Sequence, residues 1–204
     1  MSKLRHVIQT LFSIDTQIKL QIETLNKVYV NKNFIDKIKH EGFFADQISF
    51  KNSLVSIISN HTIISFCSFL EEYNKFFSPS YVEDHFSRRV NYIRKKNKPG
   101  IKRINKWKDL NDFRNVIIAH NFRKKKESFF STEFKNYDYI IPNSNSEKNL
   151  FYDIIHLICL NIRDEFPDII LTINPKFKMT DNLNIIGEDI DNKKEIEELV
   201  KLMR

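Results

Sequence analysis

The residues best suited to chemistry in this chain lie in one run, LNDFRNVIIAHN, at positions 110–121. Arg114, Asn115 and His120 stand close together there: a guanidinium that is always charged and can hold an anion, an amide that can orient it, and an imidazole that titrates near neutrality and can move a proton. Other starting points for catalysis are missing. Three glycines in the whole chain nearly forbid a phosphate cradle of backbone amides, and there is no nucleophile elbow, no paired His with Glu at zinc-binding spacing and no Cys pair. No cofactor and no metal ligand set is expected.

The spacing raises a geometric question. Six residues at about 100° each put Arg114 and His120 about 120° apart round an ideal helix. Both reach one point only if the Arg bends round, the helix ends near Ala119, or a second subunit completes the site. Phe113, Val116, Ile117 and His120 also share an apolar stripe. The alternative role for His120 is that of a core histidine bonded to a buried carboxylate.

The run resembles the signature of the HEPN superfamily, an Arg and a His a few residues apart, commonly with a polar residue directly after the Arg. Here it reads Arg114, Asn115, Val116, Ile117, Ile118, Ala119, His120, and the RNxxxAHN form is most similar to HEPN domains of bacterial abortive-infection and toxin-antitoxin systems. Helix order over residues 1–166 matches more loosely. The resemblance implies a helical bundle that dimerises with its two motifs facing across the two-fold axis. It also implies metal-independent RNA cleavage, in which the ribose 2′-hydroxyl attacks the adjacent phosphate and leaves a 2′,3′-cyclic phosphate and a 5′-hydroxyl. In that chemistry His120 moves the proton, Arg114 holds the extra charge of the phosphorane, and Asn115 orients the phosphate or the imidazole.

HEPN members often carry an acidic residue on an earlier helix near the Arg and His. Glu72 or Glu71, in the otherwise apolar FLEEY, is the candidate here, and adjacent helical residues point about 100° apart, so one of them at most faces the site. The implied partners are RNA, a second copy of the chain and, for a toxin, a cognate antitoxin protein. A HEPN fold without catalysis, binding RNA, a nucleotide or a protein partner, shares every one of these features. A third reading is a helical protein whose basic face meets an acidic protein.

Charge is distributed unevenly. Residues 86–126 hold 15 Lys or Arg against two acids, Asp109 and Asp112, in a chain whose total is only +7. Such a tract makes a positive face for phosphates, and its interleaved aromatics, Tyr92 and Trp107 among them, can stack on unpaired bases. Arg123, Lys124, Lys125 and Lys126, with Arg103 and Lys106, are the expected RNA clamp. The alternative is that the lysines are solvated and the aromatics are core. Residues 164–199, with ten acids and four lysines, either fold back on that face or form an unrelated solvated surface.

The elements that must position these groups are legible as stripes. A chain of 204 residues with 41% hydrophobic content is not disordered, and five prolines and three glycines are too few for the turns of an all-β fold. Leu4, Val7, Ile8, Leu11, Ile14, Ile18, Ile22 and Leu25 recur at steps of three and four, predicting a helix over 3–29. A short pattern follows at 34–38, ending near Gly42. A helix over 46–77 is apolar on more than one face and so belongs at the centre of its bundle. A basic helix is expected over 79–98, capped by Ser78 and Pro79 and stopped at Pro99 and Gly100, then another over 102–121. Residues 122–146 read as a long loop. Ser144 and Glu147 have capping-box spacing before a buried helix that ends near Phe166. Beyond Pro167, DIILTI and NLNII look extended, and 192–204 reads as a short acidic helix.

These elements imply an all-α fold, an antiparallel bundle of four to five helices over 1–166 with a small C-terminal appendage over 167–204. Cys67 and Cys159 lie in apolar stretches and are read as reduced thiols. The first sixteen residues lack a signal-peptide core, and no stretch approaches the roughly 20 apolar residues of a membrane span. A soluble cytoplasmic protein with no membrane partner is expected. His61 and His156 are read as core residues, whereas His6, His40 and His85 have more polar surroundings.

Overall fold

The computed structural model describes residues 2–30, 50–115, 123–124, 127–128 and 139–173. In chain order the elements are α1 (Lys3–Val30), α2 (Phe50–Lys75), α3 (Asp84–Ile104), α4 (Leu110–Phe113), the short strands β1 (Arg123–Lys124) and β2 (Glu127–Ser128), α5 (Asn145–Glu165) and α6 (Pro167–Thr172). The fold is all-α, and among the described residues its body is four long helices. β1 and β2 form a two-residue antiparallel pairing, Arg123 opposite Ser128 and Lys124 opposite Glu127, inside the tract expected to be loop. The pattern at 34–38, the segment NLNII and the acidic helix at 192–204 lie outside the described residues.

The stripe on α1 is buried as its spacing requires: Leu4, Val7, Ile8, Leu11, Ile18, Ile22 and Leu25 are all inside. It packs against α2 and α5, and α3 packs against α5. Matched pairs show the antiparallel sense. Asn26 accepts from Asn145 while Asp15 meets His156, so α1 and α5 run in opposite directions. Asn97 with Asn161 and Arg89 with Glu165 show the same for α3 and α5. The centre is aromatic. Phe66 of α2 stacks on Phe151 of α5 at 3.9 Å between ring centroids, and Phe151 in turn stacks on Trp107 at 5.2 Å.

α2 buries Ile63, Phe66, Cys67, Phe69 and Tyr73. Its stretch Leu54–Lys75 does have the length and apolarity of a membrane span, contrary to the reading that no stretch approaches one. Among the described residues it is the one such helix, and here it lies against α1 and α4 as a core helix does.

Both ends of α3 differ from the sequence reading, each for a local reason, and the helix expected from residue 102 onward is broken by a turn at 105–109 between α3 and α4. α3 begins at Asp84 and not at Pro79, because Ser78 accepts from the Tyr81 and Val82 amides in a turn. The turn delivers Glu83, whose carboxylate receives the Lys3 amide at 2.6 Å and the Leu4 amide at 3.3 Å and so caps α1. α3 also runs through Pro99 and Gly100 to Ile104. Pro99 forfeits one helical hydrogen bond, and Gly100 marks the close approach of α3 to α5, where a Cβ would lie 3.0 Å from Ile154 Cγ2. Glycine here is a contact and not a stop.

DIILTI is helical, not extended. Pro167 opens α6, which packs on α1 and α5, and the compact unit continues to Ile173. The start of α5 follows the sequence closely: the Glu147 amide donates to Ser144 Oγ at 3.1 Å, and the Ser144 amide to Glu147 Oε2 at 3.0 Å.

Candidate functional site

The motif is delivered by the turn after α3. Trp107 is buried in that turn, with its ring on Phe151, the Arg103 guanidinium 4.2 Å from its centroid, and its N–H donated to Glu147 Oε1 at 3.3 Å. Asp109 binds the segment before α5 twice, receiving the Ile140 amide at 2.9 Å and donating its own amide to Ile140 O. Leu110 is buried, and its carbonyl accepts from the Cys67 thiol of α2 at 3.8 Å. Phe113 meets Tyr139 edge to face at 5.4 Å. These contacts fix α4 against α2.

At Arg114 and Asn115 the backbone widens into a π turn. A π turn takes one more residue than an α turn and so widens the backbone at this point. Arg114 Nε donates to Asn115 Oδ1 at 3.1 Å, and its Nη1 lies 3.7 Å from Glu71 Oε2 on α2. Glu71 also receives Lys75 Nζ at 2.6 Å. The hydrogen bond and charge of Lys75, with a smaller contribution from Arg114, hold the Glu71 carboxyl below its usual value. The corner thus collects two cations, one carboxylate and one amide at a half-exposed edge of the bundle.

Glu72 points elsewhere. Burial raises its carboxyl, and the charge that opposes this is His6 of α1. Of the two adjacent acids, Glu71 is the one beside Arg114. Cys67, one turn before Glu71, is buried, and burial pushes its thiol up to about 11 even with the Arg114 charge pulling the other way. His120, Asn121, Lys125 and Lys126 lie outside the described residues. Arg123 and Lys124 are placed in β1 by their backbone alone.

The basic tract divides in two. Arg89 donates to the Glu165 carboxylate at 2.8 Å and to its carbonyl, with the guanidinium 4.5 Å from the Phe166 ring. Arg94 donates to the carbonyls of Tyr73 and Phe77 at 2.8 and 2.7 Å. These two arginines thereby satisfy the C-terminal ends of α5 and α2, where carbonyls lack helical partners and a cation suits the dipole. Arg103, expected in the RNA clamp, is committed to Trp107. Lys106, expected there too, is exposed, as are Arg88, Lys95, Lys96, Lys98, Lys102 and Lys108.

One group went unnoticed in the sequence. On the seam of α1 and α5, Asp15 is 8% exposed and its Oδ2 lies 3.1 Å from His156 Nδ1, while Oδ1 is buried with no partner. Burial raises the Asp15 carboxyl, and the His156 hydrogen bond opposes it. Tyr152 stacks on His156 at 5.6 Å, its phenol pushed up to about 12 by burial and the neighbouring carboxylates. The signal was available, since Asp15 interrupts the α1 stripe between Leu11 and Ile18. Neither His156 nor His61 is the core residue expected: the His156 side chain is 44% exposed, and exposed His61 lies 2.9 Å from Gln21 Nε2. Among the described residues no cluster of three His, Cys, Asp or Glu stands ready to hold a metal ion.

No family model matches this chain, and no curated protein or solved structure matches it.

Proposed function

We propose that the chain is a HEPN-type endoribonuclease, a toxin or phage-defence effector that cuts single-stranded or loop RNA without a metal ion. One observation carries the proposal. The Arg of the RNxxxAHN run meets a carboxylate from an earlier helix and the amide oxygen of the Asn that follows it, so that the Arg114 guanidinium is steadied by Asn115 and Glu71 yet remains at a half-exposed corner. Steadied in this way, a planar fork can receive a phosphodiester with little reorganisation, which is how a fixed donor lowers a barrier.

The reaction follows from the groups in the motif. His120 takes the proton of the ribose 2′-hydroxyl, the 2′-oxygen attacks phosphorus, and the bond to the 5′-oxygen breaks. That oxygen leaves as a hydroxyl, taking up a proton, and a 2′,3′-cyclic phosphate remains. Arg114 holds the negative charge that gathers on the phosphoryl oxygens. A second copy of the chain presents its own motif across a two-fold axis, and a cognate antitoxin protein covers the corner.

The test is cleavage of total RNA and of a stem-loop RNA by the purified full chain in EDTA. Wild type should yield cyclic-phosphate ends, and His120→Ala should be slower by about 10² to 10⁴. Cleavage by His120→Ala at the wild-type rate overturns the assignment of roles. A folded wild type that cuts no RNA overturns the nuclease and leaves a HEPN-like binding protein. Light scattering should show a dimer at tens of micromolar.

A further inference from the structure

We propose that the solvent face of α3 is a track for a single-stranded nucleic acid, held through its phosphates by Arg88, Lys95, Lys98 and Lys102 and through one base stacked on Tyr92. The track requires no catalysis at the Arg114 corner, so it stands or falls separately from the nuclease.

Positions 88, 91, 95, 98 and 102 advance by three and four residues, which keeps them on one side of a helix. All five are exposed, and Asn91 supplies an amide among the four cations. The buried residues of α3, Val90, Ile93, Asn97 and Ile104, occupy the opposite side. At about 1.5 Å per residue the stripe is about 21 Å long. Between residues 86 and 108 there is no acidic side chain, and none of the four cations is paired with a carboxylate among the described residues. The same helix spends Arg89, Arg94 and Arg103 on internal contacts. Its remaining charge is therefore not explained by the fold.

The occupant follows from Tyr92. Its ring is 58% exposed and lies one turn from Arg88, Lys95 and Lys96 along the helix. A flat aromatic surface set among cations matches a nucleobase beside its phosphates, and stacking requires that the base be unpaired. A lipid surface would call for a broad apolar face on the same helix, and this face has Tyr92 alone. An acidic protein would satisfy the charges and leave the ring without a role.

The experiment uses the full chain and two fluorescein-labelled 20-nucleotide strands of one mixed sequence, 2′-O-methyl RNA, which cannot undergo 2′-hydroxyl attack, and DNA. Anisotropy is followed from 50 to 200 mM salt, and the tighter strand names the biological source. Reversal of Arg88, Lys95, Lys98 and Lys102 to Glu should weaken binding at least tenfold. It should also flatten the slope of log affinity against log salt by about 3, at about 0.7 per phosphate released. Tyr92→Ala should weaken binding about fivefold or more with the slope unchanged, and Tyr92→Phe should restore it. Heparin, a polyanion without bases, should respond to the charge reversal and ignore Tyr92→Ala. Should the reversed protein unfold, Arg88→Gln with Lys95→Gln gives the slope change at half size. Unchanged affinity in the folded charge variant overturns the track, as does a Tyr92→Ala effect equal on heparin. Binding to phosphatidylserine vesicles or a poly-glutamate peptide in place of either strand overturns it as well.

Discussion

Two of the acid–base pairs that join neighbouring helices of this bundle differ sharply in their surroundings, one at the corner of α2 and α4 and one on the seam of α1 and α5. At the corner, the Glu71 side chain is 46% and the Arg114 side chain 27% exposed; on the seam the Asp15 side chain is 11% and the His156 side chain 44% exposed. The exposed carboxylate lies below its ordinary value because two cations face it, whereas the enclosed one lies above because desolvation outweighs the pull of His156 and Lys19. A pair left in solvent adds little to stability but keeps a cation available to an incoming anion. A pair with one side enclosed ties two helices together at an electrostatic cost.

The largest effect should come from beneath the corner. Phe151 is fully buried between Phe66 and Trp107, so Phe151→Ala should lose about 3–5 kcal/mol in urea unfolding. A loss under about 1 kcal/mol would mean that the stack does not set the α4 turn.

Next comes the functional contrast. Arg114→Ala should cut RNA cleavage by about 10² to 10³, the usual worth of one fixed donor to a developing anion. Arg114→Lys should recover only part of it, since the ammonium lacks the planar fork. Asp15→Asn should leave the rate within about threefold, as it stands away from the phosphate chemistry. Equal losses in both variants would erase the distinction between the corner and the seam.

The two carboxyls should then titrate with opposite sign. Glu71 is lowered, so its stabilisation is present above the ordinary glutamate value and is lost as pH falls through the lowered one. Asp15 is raised, so its contribution is greatest below the ordinary aspartate value and is lost as pH rises through the raised one. Asp15→Asn should therefore gain up to about 1 kcal/mol at pH 8 and close to nothing at pH 4, read from urea curves at both. A gain that grows on acidification contradicts the burial argument.

Smallest is the coupling of Arg114 to Glu71. A double-mutant cycle with Ala at each position should give no more than about 0.5 kcal/mol in stability, screened further by salt. A coupling above about 2 kcal/mol would place that pair with the enclosed kind.

Much of this frame was legible in the residues themselves. Periodicity records which side of a helix avoids water, and the stripe of α1 follows from it, as the capping box of α5 follows from the spacing of Ser144 and Glu147; α2, apolar on more than one face, buries one side and leaves Ile57 65% exposed. The RNxxxAHN run and the basic tract also stood out, because types and spacing along one helix are local properties. The boundaries at Pro99 and Pro167 misled, since proline marks a lost hydrogen bond while the packing of α3 on α5 and of α6 on α1 decides whether the chain stays helical.

What the sequence by itself determined is therefore the all-α class, the buried side of α1 and the chemical types available. Only the tertiary structure decided which of Glu71 and Glu72 meets Arg114, which arginines of α3 close the ends of α2 and α5, and that Asp15 is shut in with His156. The reason is phase. A side chain on one helix meets a partner 40 to 140 positions away only when two helices settle at a particular rotation and offset, and that setting comes from the packing of the whole core.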